Sequence, residues 1–213
     1  MRKKDIEIML SSLEDVEKPK PSLEQYMTPV DIAVELVLYA YQSGDIKDRR
    51  VADLGSGNGI LSFASHLLGS SEVIGYDKDH SCVIVAKENF RILKEHPKYE
   101  PIGGDVRFIR ANVDDDGLEW EKVDTVIMNP PFGAQKKGAD RPFISRSLKI
   151  SQMVYSIHNW KGREFVKKEY ERMGGEVQSE KCYIMRLGSR FKFHTRKNVD
   201  LKVALFKVRS VDR

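Results

Sequence analysis

A chain of 213 residues, 40% hydrophobic and 32% charged, has the size and apolar content of one α/β domain and excludes a disordered or collagen-like polymer. No apolar run approaches the ~18 residues of a membrane span, and the charged start Met1-Arg2-Lys3-Lys4-Asp5 leads into no apolar signal region, so a cytoplasmic protein is expected. The net charge of +4 is unevenly shared: residues 1–133 hold 16 Lys and Arg against 24 Asp and Glu, residues 134–213 hold 20 against 8, and the basic rear is expected to face a polyanion.

Residues 1–18 interleave charges with Ile6, Ile8, Met9, Leu10, Leu13 and Val16, a spacing that predicts a short amphipathic helix. The prolines of Lys18-Pro19-Lys20-Pro21 stop it, since proline removes a donor and restricts its predecessor. Residues 1–21 therefore read as a charged N-terminal arm and 22–213 as the domain. A helix is predicted over 31–41, with Thr28 as its cap and Pro29 at its first position. Strands and helices then alternate: strand 51–54, helix 60–68, strand 73–77, helix 81–93, strands 107–111 and 123–128, helix 142–151, strand 153–157, and helix 162–173 stopped by Gly174-Gly175. Strands 181–187 and 199–208 follow, with no helical pattern between them. The alternation predicts a mostly parallel seven-stranded sheet with helices on both faces, and the last pair an antiparallel hairpin. Such sheets seat ligands at the carboxyl ends of their strands. The two cysteines, Cys82 and Cys182, are too few for a disulfide framework or a zinc site and read as reduced thiols; no metal-ligand spacing is found.

Asp53-Leu54-Gly55-Ser56-Gly57-Asn58-Gly59-Ile60 follows the first strand and opens a helix. Its glycines allow a tight turn and close approach to a ligand. Position 60 is not the glycine of the dinucleotide fingerprint, and the Asp53 carboxylate would repel a pyrophosphate but not a cationic or zwitterionic ligand. Asp77 ends the second strand and can accept from both hydroxyls of a ribose. Asn112 and Val113 follow the third, an amide for one edge of an adenine and an apolar side chain for its face. This ordered set resembles the class I methyltransferases that use S-adenosylmethionine. The resemblance implies a Rossmann-like fold with Asp53, Gly55, Gly57, Asn58 and Ile60 along the methionine part, Asp77 at the ribose, and Asn112 and Val113 at the adenine.

After the fourth strand stand Asn129, Pro130, Pro131 and Phe132. An exocyclic amine on an aromatic base is a poor nucleophile, because its lone pair is delocalised into the ring. Two acceptors aimed at its hydrogens bias it toward sp³ geometry and stabilise the developing positive charge. Asn129 offers a side-chain oxygen and Pro130 a backbone carbonyl whose direction two successive prolines restrict. Phe132 offers a ring on which a base can stack. The motif resembles that of the amino-methyltransferases, in which Phe at the fourth place is common among enzymes acting on adenine N6 in RNA.

The likeness extends to Leu23-Glu24-Gln25-Tyr26-Met27-Thr28-Pro29, Val154-Tyr155-Ser156-Ile157-His158 and Phe191-Lys192-Phe193-His194. Together these resemble the small methyltransferase-like family that makes N6-methyladenosine in small-subunit ribosomal RNA. The resemblance implies that Gln25 and Thr28 contact the cofactor, that Tyr26 closes over it, and that a small zinc-binding activator can add to the sheet edge. Met27 and Asn112 depart from the family pattern, where Pro and Asp are frequent. Lys136, Lys137, Arg141 and Arg146 lie in or after a polar segment next to the motif. Lys192, His194, Arg196 and Lys197 lie among aromatics in the last loop. Both groups are expected at RNA phosphates, and His158 as a structural histidine. The competing readings are a protein-glutamine N5 methyltransferase and a non-catalytic, cofactor-binding ribosome-assembly factor; an unmodified Asn-Pro-Pro-Phe speaks against the latter.

Overall fold

A computed structural model describes residues 1–17, 19–20, 24–25, 27–133, 135–187 and 199–211. The helices are α1 (Lys3–Leu10), α2 (Val30–Gln42), α3 (Ile60–Leu67), α4 (His80–Glu95), α5 (Arg141–Ile150) and α6 (Arg163–Arg172). The strands are β1 (Arg50–Leu54), β2 (Glu72–Asp77), β3 (Asp105–Arg110), β4 (Val123–Met128), β5 (Ser151–Asn159), β6 (Gly175–Leu187) and β7 (Val199–Ser210). They form one sheet in the order β3-β2-β1-β4-β5-β7-β6. The first five strands run parallel, and β7 runs antiparallel to both β5 and β6. This is the expected class I methyltransferase architecture. Among the described residues no helix is long and apolar enough to cross a membrane.

Alternation along the strands builds two cores. Val51, Val73, Ile127, Tyr155 and Leu205 pack on one face with residues of α1 to α4. Their neighbours Ala52, Ile74, Val126, Val154 and Phe206 pack on the other with α5 and α6. Successive side chains point to opposite faces, so covering both faces requires these near-continuous apolar runs.

The N-terminal segment departs from the expected arm. Ile6, Met9 and Leu10 of α1 are fully or almost fully buried in the first core. Each such burial is worth ~1.5–3 kcal/mol relative to exposure, which holds in place a helix too short to persist alone. The cause lies in α3: all eight of its residues are buried. Even its polar stripe of Ser62, Ser65 and His66 is covered, and α1 with α2 forms part of the layer over it.

Two element boundaries also differ from expectation. Thr28 does not cap α2; Pro29 stands at the cap position with no side-chain bond, and its carbonyl accepts from the Ala33 N–H at 3.0 Å. Strand β6 starts at Gly175 rather than 181, because Gly174 at φ +86° reverses the chain directly after α6. Its early residues are mostly polar, as suits an edge strand with one wet face, and they hide the strand from a search for apolar runs.

Candidate active site

The glycine turn extends the β1–β2 ladder. The N–H groups of Gly55 and Ser56 both donate to the Tyr76 carbonyl, at 2.8 and 3.0 Å. Gly55, Gly57 and Gly59 all have left-handed φ, +76°, +55° and +90°. A Cβ on Gly59 would meet the Phe63 ring at 2.5 Å, whereas one on Gly57 would meet nothing within 4 Å. Gly59 therefore answers to packing, while Gly57 faces open space.

Asp53 is turned beneath this loop. Its Oδ2 accepts from the Ser62 N–H at 3.0 Å and from the Ser62 hydroxyl at 2.6 Å, closing the first turn of α3; its Oδ1 is buried without a partner. Burial, reinforced by the Asp77 carboxylate, pushes its pKa up to about 7. Asp77 itself braces the loop: Oδ2 accepts from the Gly57 N–H at 2.9 Å and Oδ1 from the Asp79 N–H at 2.8 Å. Burial raises its pKa as well. Each carboxylate oxygen keeps a second lone pair for a further donor. Beside Asp77, the Ala111 N–H donates to its carbonyl, and the turn carrying exposed Asn112 and buried Val113 follows.

A cleft of about 300 Å³ opens above the loop, lined by Met27, Thr28, Ser56, Asn58, Ile60 and Asn129 among others. It brings the glycine turn and the Asn-Pro-Pro-Phe segment together. Asn129 Nδ2 donates to Thr28 Oγ1 at 2.9 Å. Among the described residues, its buried Oδ1 has no partner, and neither has the Ser56 hydroxyl. Buried polar atoms are almost always satisfied, so two such atoms on residues lining one cleft suit a polar ligand, and the Asn129 oxygen suits a donor in particular. Pro130 is buried and Phe132 half-buried. Phe132 also borders a second cleft of about 500 Å³, with Lys137, Asp140, His158, Asn159 and Phe165.

Residues 27–150 match the methyltransferase small domain. The chain belongs to this methyltransferase family. Over 209 residues it is 34% identical to the rRNA N(6)-adenosine-methyltransferase Mettl5 of Drosophila melanogaster, covering 95% of this chain and 94% of that protein. It is 33% identical to the rRNA N(6)-adenosine-methyltransferase METTL5 of Danio rerio, covering 95% and 96%. Among solved structures, PH1948 from Pyrococcus horikoshii matches with a TM-score of 0.83 at 38% identity, over 99% of this chain and 98% of that one. The resemblance drawn from the motifs is thereby shown.

The methyltransferase places its other expected site residues unevenly. Gln25 does not line the cleft. Its Nε2 donates to Asp79 Oδ2 at 2.9 Å, and its Oε1 accepts from the Lys20 N–H at 2.7 Å. Asn58 lines the cleft but gives its amide to the Glu14 carbonyl and the Met27 sulfur, at 3.1 and 2.8 Å. Tyr26, Lys192, His194, Arg196 and Lys197 lie outside the described residues. Lys136 and Lys137 are exposed, and Arg141 pairs with Glu169 at 3.0 Å while lying over the Phe165 ring. Arg146 is not on an RNA-facing surface. It is 8% exposed, donates to the carbonyls of Val113 and Asp115, pairs with Asp116 at 2.7 Å and stacks on Trp120. Its guanidinium thus secures the turn expected at the adenine. His158 is buried and kept neutral, its pKa pushed down by burial to about 3. Its Nε2 lies 3.1 Å from the Ser156 hydroxyl, in keeping with a structural role.

Several residues of the site carry no sequence signal of their own. Asn89 of α4 is fully buried; it accepts from the Glu14 N–H and donates to the Asn58 carbonyl, tying the N-terminal segment to the glycine loop. Gly75 in β2 clears space for Phe108, which a Cβ there would meet at 2.4 Å. Met27 and Ser56 complete the walls of the cleft. Only placement in space singles them out.

Proposed function

We propose that this methyltransferase uses S-adenosylmethionine to methylate N6 of an adenine in RNA, with small-subunit ribosomal RNA as the substrate. The observation that carries the reading is the buried, unpartnered Oδ1 of Asn129, on an amide that Thr28 fixes from its other side. Its partner is the amine of the target base. Asn129 Oδ1 and the Pro130 carbonyl accept the two hydrogens of the exocyclic amine, drawing its lone pair out of the ring. Both acceptors strengthen as positive charge grows on the nitrogen, so they favour the transition state over the bound substrate. Phe132 stacks on the base, and the cleft it borders would receive a base taken out of its strand. The proton leaves after transfer, so no strong general base is needed.

The cofactor would supply an electrophilic methyl carbon. Gly57 and Ser56 would hold its amino-acid part, Asp77 its ribose, and Asn112 with Val113 its adenine. Ribosomal RNA as substrate is supported by the activity for which the Drosophila and Danio relatives are named and by the basic rear of the chain. The activator expected from the resemblance would find unpaired sheet edges at β3 and β6. Phe132 and the charge distribution favour RNA over a protein glutamine. The test is mass spectrometry of small-subunit RNA and of a release factor after incubation with S-adenosylmethionine. N6-methyladenosine should appear in the RNA alone. Asn129→Ala should abolish it while leaving cofactor affinity within a few-fold of wild type, a split that near-native turnover by the variant would refute.

A further inference from the structure

We propose that Glu24 is a positioning residue that carries the state of the cofactor cleft to the loop behind Phe132. The proposal rests on the assignment of that cleft to the cofactor. Glu14, Lys20, Gln25, Met27 and Thr28 of the N-terminal segment touch several parts of the site. The Glu14 backbone meets Asn58 and Asn89. Lys20 and Gln25 both hold Asp79, two residues beyond the ribose carboxylate Asp77. Met27 meets Asn58, and Thr28 meets Asn129. Glu24 reaches in another direction: its Oε1 accepts from the Gln135 N–H at 2.7 Å, across 111 positions of sequence.

Three observations make this contact more than packing. Glu24 is 8% exposed, so its carboxylate is largely taken from water. Its Oε2 is buried without a partner among the described residues. Its backbone sits at φ +49°, in the left-handed region that a residue with a long side chain adopts only when its surroundings impose it. Glycine or asparagine would suit that backbone better; glutamate adds the reach of its side chain. The loop it holds begins at Gly133 and includes Gly138, at φ +78° and +75°. Between them stand the exposed Lys136 and Lys137. Three and four residues further along the chain, Met27 and Thr28 line the cofactor cleft. Whatever firms those walls firms Glu24, and through it the amide three residues after Phe132. A ligand that orders one end lowers the cost of ordering the other, so cofactor loading prepares the loop on which the target RNA must settle.

The test is hydrogen exchange of the full chain with and without S-adenosylhomocysteine, read by mass spectrometry in wild type, Glu24→Gln, Glu24→Ala and Gln135→Pro. In wild type the ligand should slow exchange across 133–140 by at least ~5-fold, the low end of ordinary coupling between sites. Glu24→Gln, which keeps an acceptor, should retain the effect. Glu24→Ala and Gln135→Pro, which remove acceptor and donor in turn, should lose it while the 55–60 peptide is still slowed by the ligand. Slowing across 133–140 that survives in both of these variants, or is missing in wild type, overturns the proposal. Calorimetry with the same ligand reads the cofactor assignment separately. No binding to wild type would overturn that assignment and this proposal with it, whereas binding without slowing overturns the proposal alone. No RNA enters these measurements, so a failure to methylate RNA bears only on the substrate.

Discussion

At the scale of single residues, the proposed reading makes Asn129 a group that meets the ligand and Thr28, which accepts from its amide, one that aims it. Thr28→Val keeps the volume but removes the oxygen that receives the Asn129 amide. Its loss frees the amide to rotate and should lower kcat by ~10-fold, about the worth of one hydrogen bond, with KM for the cofactor changed less; equal changes in both would mean that Thr28 serves binding instead. Asp53 makes a prediction in pH. Its pKa in the fold is about 7, raised from 3.8 chiefly by burial. A raised carboxyl holds its proton more tightly folded than unfolded, so its contribution to stability is fullest below pH ~4, falls as pH rises toward ~7, and then levels. Asp53→Asn, neutral throughout, should gain in Tm relative to wild type as pH climbs through that window. A constant gap between the two melting curves would show that the carboxyl is ionised across it.

At the scale of elements, Arg146 on α5 is the clearest case of one element serving another. It bonds the carbonyls of Val113 and Asp115 and stacks on Trp120. Arg146→Ala leaves the carbonyl of buried Val113 without its donor, while that of Asp115 keeps the Trp120 Nε1–H, and should cost about 2 kcal/mol in urea unfolding, together with a several-fold loss of cofactor affinity. Arg146→Lys should not restore it, since an ammonium cannot reproduce the planar fork. A variant as stable as wild type would remove Arg146 from the frame of the site. This arginine also shows where sequence stops being informative. Basic residues near a reactive motif look alike in one dimension, and the carbonyls that claim Arg146 lie about thirty positions away. Patterns confined to one element were legible: the alternating strands, the glycine turn, the Asn-Pro-Pro-Phe corner. Contacts between distant segments were not, as Asn89 and Glu24 show. The burial of α1 was not legible either, because Ser62, Ser65 and His66, spaced i, i+3 and i+4, give α3 a polar stripe in sequence that only the structure shows to be covered.

At the scale of the whole molecule, the charge distribution sets how the substrate is met. Net charge is −8 over residues 1–133 and +12 over 134–213. Lys136, Lys137, Arg141, Lys192, Arg196 and Lys197 are expected to meet phosphates, and neutralising phosphates releases their counterions. RNA affinity should therefore fall steeply with salt, and a Lys192/Arg196/Lys197 triple alanine variant should flatten the slope of log K against log salt by about 0.7–0.9 for each phosphate it no longer neutralises. Parallel slopes for variant and wild type would take the last loop out of the RNA interface. Cofactor affinity should not move with these substitutions, because the cleft is built from the acidic front.

The length of the final hairpin gives the protein a reach. Strand β5 ends its pairing with β7 at Asn159 and Val203. Beyond that point, among the described residues, Val199–Lys202 pair only with Ile184–Leu187; Met185 and Leu201 still pack on the first core, so the last two rungs, Arg186 with Asp200 and Leu187 with Val199, form a short cantilever. It projects from the carboxyl ends of the parallel strands, the side that carries Asn129. Two rungs at ~3.4 Å each place the end of the pairing ~7 Å beyond that support. A two-stranded beam of this kind turns strand length into a distance between where a polymer is gripped and where it is modified. Removing Arg186, Leu187, Val199 and Asp200, two rungs in register, preserves the alternation of faces and shortens the beam by ~7 Å. Methylation of RNA should then drop while S-adenosylhomocysteine still binds as before; unchanged methylation would mean that the span beyond Asn159 is not used as a gauge.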